Sequence, residues 1–277
     1  MNNENLFEIS TKKRFFPNLA EAWILVLCLM LLMFVAFALA KLLEAFKLDS
    51  GIISLVQYVV ACGTLIFVAL LYKKRVGDNS QICCKNRVSL WIYLFTIPAI
   101  IGLSGFVDII STIILPEIPQ DLQDALTNKM NVNAPVLLLV IVAAPVLEEI
   151  FCRGIICEGL IKNYSPRAAI LWSAFIFAVI HLNPWQGLSA FVIGCFLGWI
   201  YYKTRSILPC IFIHFVNNSL AVCAYNYHEK SGYDINTPAA EAYGINEIML
   251  LTIYFVVFSV SFFLLMRVMR KFCAFNE

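Results

Sequence analysis

Residues 134–161 read APVLLLVIVAAPVLEEIFCRGIICEGLI, and the rest of the chain has to be read around this stretch. From Ala134 to Leu147 no side chain is charged; then Glu148, Glu149 and Arg153 arrive before the apolar run resumes. A helix needs about 20 predominantly apolar residues to cross the hydrocarbon of a bilayer. An ionisable group at the centre of such a helix costs about 2.5–3.5 kcal/mol on insertion scales and usually marks function. The stretch is predicted to be a membrane helix that carries chemistry.

The composition agrees. Of 277 residues, 61% are hydrophobic and 14% are charged, against roughly 25% charged in a typical soluble domain. That is too little charge to coat a soluble fold of this length. Apolar blocks predict eight spans, at 20–44, 51–72, 89–114, 134–161, 167–183, 186–202, 206–224 and 246–268. The fold class is therefore an all-α polytopic membrane protein, a single integral membrane domain over 1–277. The N-terminus does not read as a cleavable signal peptide, because its basic cluster precedes an apolar run too long for one.

Basic residues fall in alternate connections, as the positive-inside rule requires. Lys12, Lys13, Arg14, Lys73, Lys74, Arg75, Lys85, Arg87, Lys162, Arg167, Lys203, Arg205, Arg267, Arg270 and Lys271 share one side. The other receives only Lys41, Lys47, Lys129 and Lys230. This predicts a multi-pass protein of the cell membrane with both termini cytoplasmic. The loops at 115–132 and 225–246 are then external, with Glu117, Asp121, Asp124, Asp234 and Glu241. The net charge of +2 shows no basic patch, so nucleic acid is not expected as a partner; the lipid bilayer is.

Ten cysteines suggest disulfides only at first sight. Cys28, Cys62, Cys152, Cys157, Cys195, Cys210 and Cys223 lie in spans, where Cys acts as a small apolar residue. Cys83, Cys84 and Cys273 fall on the reducing side, and no pair has zinc-ligand spacing.

The intramembrane polar residues are few. Besides Glu148, Glu149 and Arg153, the fifth span ends near His181, and the seventh holds His214, Asn217 and Asn218. Counted along the helix rise, Arg153 and His214 lie about 12 Å deep, Glu149 and Asn218 about 18 Å, and Glu148 and His181 about 20–21 Å. Three spans therefore bring polar groups to one layer. Glu149 and Arg153 are i and i+4 and can pair, while Glu148 points about 100° away and stays available. His214 and Asn218 also share a face, as do Phe177 and His181. Glu158, Lys162 and His228 read as solvated ends.

Desolvation disfavours the charged form of a carboxylate, which suits a general base working near neutral pH. Glu148 beside His181 can hold and deprotonate a water. His214 and Asn218 can donate to the oxyanion that forms when that water attacks an amide carbonyl. The bland readings remain: a Glu–Arg pair can simply pin helices, and polar residues in spans often bond a neighbouring helix, the reading preferred for Asn217.

The segments Glu148 to Arg153 (EExxxR), Phe177 to His181 (FxxxH) and His214 to Asn218 (HxxxN) appear in that order on successive spans. The set resembles the CPBP family of intramembrane proteases, which takes in type II CAAX prenyl proteases and bacteriocin-processing or immunity proteins. The resemblance covers a catalytic-motif core at roughly 134–224. It implies a conical intramembrane cavity and a membrane endopeptidase. Glu148, His181, His214 and Asn218 would be catalytic, with Glu149, Arg153 and Phe177 in support. It also implies a peptide or protein substrate, with a lipidated protein and a bacteriocin precursor as the candidates. The favoured mechanism uses no cofactor; the alternative is Zn held by Glu148, His181 and His214. Two rival readings stay open: a non-catalytic immunity or scaffold protein, and a proton-coupled transporter.

Overall fold

A computed structural model describes residues 14–44, 46–80, 88–119, 121–122, 133–232 and 237–274. Lys12, Lys13, Cys83, Cys84, Lys85, Arg87, Asp124, Lys129 and Asp234 lie outside the described residues, as do the side chains of His228 and Cys273. The described chain is helical: α1 (Leu19–Glu44), α2 (Ser50–Arg75), α3 (Leu90–Ile114), α4 (Ala134–Asn163), α5 (Pro166–Val179), α6 (Pro184–Thr204), α7 (Leu208–Ser231), the single turn α8 (Ala239–Ala242) and α9 (Glu247–Ala274).

The helix starts follow local chemistry. Asp49, Asn133, Ser165 and Asn183 each accept a backbone N–H from the first turn of α2, α4, α5 and α6. Proline stands in the first turn of the last three, where its missing N–H costs nothing. Large apolar side chains such as Leu27, Leu31, Phe34, Phe67, Ile113 and Phe263 are exposed. In water that surface would be unfavourable; against lipid it is the required one. This is a membrane protein.

Six helices, α1, α2, α3, α4, α7 and α9, are long and apolar enough to cross a membrane, so the expected eight is approximate. The remaining two candidates are the pair α5 and α6. The fifth was expected to run to 183 but its helix stops at Val179. Leu182 takes a left-handed φ of 57°, and Asn183 turns to cap α6. At 14 residues α5 covers about 21 Å, short of the hydrocarbon thickness. The seventh span differs in the other direction, because α7 continues to Ser231. Part of the expected external loop is therefore helical, and α8 occupies more of it.

Two buried clusters flank α4. One joins Leu25 and Val26 of α1 and Leu65 of α2 to Phe151, Cys152 and Ile155 of α4 and Ile176 of α5. The other joins Ile92 and Ile100 of α3, Leu197 and Ile200 of α6, Ile213 of α7 and Leu265 of α9. Ile150 and Ile161 of α4 pack against both. α4 is thus the axis of the molecule. Close approaches are made by glycine: at Gly102 an added Cβ would meet the Phe258 amide of α9 at 2.6 Å, and at Gly194 the Ala174 Cα of α5 at 3.1 Å.

Glu158 is not a solvated end. It is 1% exposed, paired with Lys162 and Arg205 at 2.8 Å each and accepting the Tyr201 hydroxyl at 2.9 Å. Its position near a helix terminus suggests water, but the end of α6 returns over it with Tyr201 and Arg205, beside Lys162 of α4 itself. The seven described cysteines are all free thiols.

Candidate active site

α4 is not a uniform α-helix. Leu138–Ala143 and Ile150–Cys157 are wide π turns on either side of the α segment Ala144–Glu149. Such turns are rare and frequent at functional sites. The first has a consequence that can be traced atom by atom. The Ala144 N–H reaches back five residues to the Leu139 carbonyl. On the same pattern the Val140 carbonyl would take the N–H of residue 145, but that residue is proline and has none. The orphaned oxygen is satisfied from α7: Asn218 Nδ2 donates to it at 2.9 Å.

The α segment presents the two carboxylates in different surroundings. Glu149 is 0% exposed. Its Oε1 accepts from an Arg153 Nη at 2.9 Å and from His214 Nδ1 at 2.8 Å. Arg153, also fully buried, donates on to the Gly194 carbonyl at 3.2 Å and lies over the Phe177 ring at 4.6 Å. Glu148 instead lines a cavity of about 650 Å³. Its Oε1 accepts the Tyr58 hydroxyl at 2.5 Å, and its Oε2 stands 3.9 Å from His214 Nε2.

His181 lines the same cavity from the turn after α5. Its Nδ1 is 2.7 Å from the Phe177 carbonyl. A carbonyl only accepts, so Nδ1 carries the hydrogen and Nε2 is left as an acceptor. Phe177 meets the rings of both His181 and His214 edge-on, at 4.9 and 5.6 Å. The aromatic ring thus separates the two imidazoles and fixes both.

The structure therefore links Glu149, Arg153, Phe177 and His214 by direct contacts, sets Glu148 at 3.9 Å from His214, and joins His181 through Phe177 and the cavity. Asn218 stands one turn further along α7, its amide engaged with Val140 O and accepting from Asn217 Nδ2 at 3.3 Å. Asn217 in turn accepts the Ser104 hydroxyl of α3 at 2.7 Å. Among the described residues, no three His, Cys, Asp or Glu side chains are grouped as a metal site.

Tyr58 went unrecognised in the sequence. It sits mid-way along α2, where a tyrosine reads as one more apolar side chain; the available signal was the polar pair Gln57-Tyr58 inside an otherwise apolar run. The walls of the cavity are also supplied by helices with no motif. Leu29, Met30, Met33, Phe34 and Phe37 come from α1, and Gln57, Tyr58, Cys62 and Leu65 from α2.

Residues 130–220 match the family of type II CAAX prenyl endopeptidases described as Rce1-like. This match supports a CPBP-family intramembrane protease. The match covers about a third of the protein and takes in all three motif helices together with α6. No curated protein and no solved structure matches the chain. The matched segment contains Glu148, His181, His214 and Asn218, while α1, α2, α3 and α9 lie outside it.

Proposed function

We propose that the protein is an intramembrane endopeptidase that hydrolyses a peptide bond with a water activated by Glu148. The observation that carries this reading is the division of labour between the adjacent carboxylates. Glu149 is fully buried with its Oε1 held by Arg153 and His214, whereas Glu148 lines the cavity and its Oε2 is free of a direct partner there. In the reaction Glu148 takes a proton from water as its oxygen adds to the scissile carbonyl. His181 Nε2 accepts a hydrogen bond from the other O–H of that water, which stays on the adding oxygen. The same proton then passes from Glu148 to the leaving amine as the C–N bond breaks. His214 donates Nδ1–H to Glu149; as an imidazolium it also offers Nε2–H to the developing oxyanion. Asn218 has one amide hydrogen committed to Val140 and a second for that oxyanion.

The charge asymmetry supports both termini on the cytoplasmic side, and the mostly apolar cavity supports a substrate segment delivered from the membrane. A CAAX-type substrate is the natural first probe, namely an internally quenched peptide with an S-farnesyl cysteine, beside its unmodified counterpart. Purified protein in detergent is expected to cleave at least one. Glu148→Gln, which keeps shape and removes the base, is expected to lose at least about 100-fold. A chelator is expected to have little effect. Loss of activity with chelator, restored by zinc, would keep the protease and overturn its metal-free chemistry. Cleavage that survives Glu148→Gln would overturn the assignment of the base, and no cleavage of either peptide by wild type would favour a non-catalytic scaffold.

A further inference from the structure

We infer that Tyr58, on a helix outside the matched core, is a positioning residue for Glu148, and that α2 is thereby part of the peptidase machinery. This rests on the proposed reading of Glu148 as the base. A carboxylate at the end of a glutamate turns about a soft terminal torsion, so only its hydrogen bonds fix which oxygen faces the substrate. Here one bond does so. The Tyr58 hydroxyl donates to Oε1 at 2.5 Å, a length typical of hydroxyl–carboxylate bonds. With Oε1 occupied, Oε2 is the oxygen turned toward His214 Nε2, and the 3.9 Å between them is too long for a direct bond. The reacting groups flank that gap.

Among the described residues, no other side chain is hydrogen-bonded to Oε1. Arg153, the nearest cation on α4, is directed at Glu149 and Gly194. His181 is tied to Phe177, and α1 adds only apolar side chains to the wall. Tyr58 also lines the cavity itself, so its hydroxyl meets the carboxylate where substrate must pass. The bond spans 90 residues of sequence and joins two helices that share the wall.

The test is Tyr58→Phe, which removes the hydroxyl and keeps the ring. Using the peptide cleaved by wild type, kcat is expected to fall about 10- to 100-fold, the loss of one bond to a charged group, with KM within about twofold. In the Glu148→Gln background the same change is expected to cost nothing further, because Tyr58 acts through that carboxylate. Replacement by 3-fluorotyrosine, which keeps ring and donor, is expected to retain kcat and covers the case in which Phe fails to fold. Wild-type kcat in Tyr58→Phe, with Glu148→Gln inactive, would overturn this inference and leave the base standing. A loss confined to KM, or one that adds to that of Glu148→Gln, would also overturn it. Activity that survives Glu148→Gln, or no wild-type turnover, would remove the base and this inference together.

Discussion

Arg153 has three tasks at once: it neutralises Glu149, donates to the Gly194 carbonyl of α6 and lies on the Phe177 ring. Breaking a buried pair by deleting one partner typically costs about 3–5 kcal/mol, because the other charge stays behind without compensation. Arg153→Met is therefore expected to lower the thermal midpoint sharply, and Arg153→Lys to rescue little of it. An ammonium lacks the planar fork needed to serve Glu149 and Gly194 together and to stack on Phe177. The double variant Glu149→Gln with Arg153→Met should recover part of the loss, since the carboxylate that Arg153 neutralised is removed with it. Thermal unfolding of the four proteins in one detergent decides this. If the double variant is no better than Arg153→Met, the cost lies in packing and not in charge. At this scale the sequence was informative. The i, i+4 spacing of Glu149 and Arg153 announced their pairing, and Glu148 beside them had to point elsewhere. Tyr58 was not legible, because a tyrosine within an apolar run carries no spacing rule that names its partner.

At the scale of elements, α4 shows why spacing runs out. Its apolar pattern foretold a continuous span, and the span is continuous. Pattern alone does not reveal that two stretches are wound as π turns, since both windings present an unbroken apolar surface. Yet the winding decides where Asn218 binds, through Pro145 and the carbonyl that it leaves without a donor. Pro145→Ala restores an N–H five residues after Val140, where it competes with the Asn218 amide. A proline inside a helix costs about 3 kcal/mol relative to alanine, so the variant is expected to be at least as heat-stable as wild type. Its kcat is nonetheless expected to fall about tenfold, less than the roughly 100- to 1000-fold cost of losing an oxyanion donor outright, because Asn218 is displaced and not removed. Higher stability with lower kcat would mark Pro145 as a placement device for Asn218. A variant that loses stability and activity in parallel would show that the proline only shapes the helix. The short α5 was hidden for a related reason: a left-handed residue at Leu182 ends the helix, and leucine gives no warning of that conformation.

At the scale of the whole molecule, one polar network fastens the ends of helices at the side that bears the basic residues. Asp78, beyond the end of α2, accepts from the Phe16 amide at 3.1 Å and from the Ser80 amide and hydroxyl, with the Lys73 ammonium at 4.0 Å. Ser80 accepts from Lys162, which pairs with Glu158, and Glu158 reaches Arg205 and Tyr201 at the end of α6. Next to this, Asn163 donates to the carbonyls of Phe15 and Pro17, and Pro17 packs so closely on Gly159 that an added Cβ would meet it at 2.3 Å. The segment before α1 is thereby stitched to α2, α4 and α6. Burial alone would push the Asp78 carboxyl up, but the Ser80 and Phe16 bonds and Lys73 outweigh it and hold it below its usual range. With the folded value depressed, the unfolded chain binds more protons near the ordinary aspartate value of about 3.9, so stability rises with pH through that window. The contribution is complete above the unfolded value and disappears as pH falls through the folded one. Asp78→Asn is accordingly expected to melt below wild type at pH 7, with the gap narrowing steadily as pH is lowered toward about 3. Thermal scans of both proteins across that range measure the gap directly, independently of other carboxylates that titrate equally in each. A gap that stays constant would mean that Asp78 contributes through its shape and its hydrogen bonds alone. A gap that closes would identify its charge as the clasp between the segment before α1 and the end of α2.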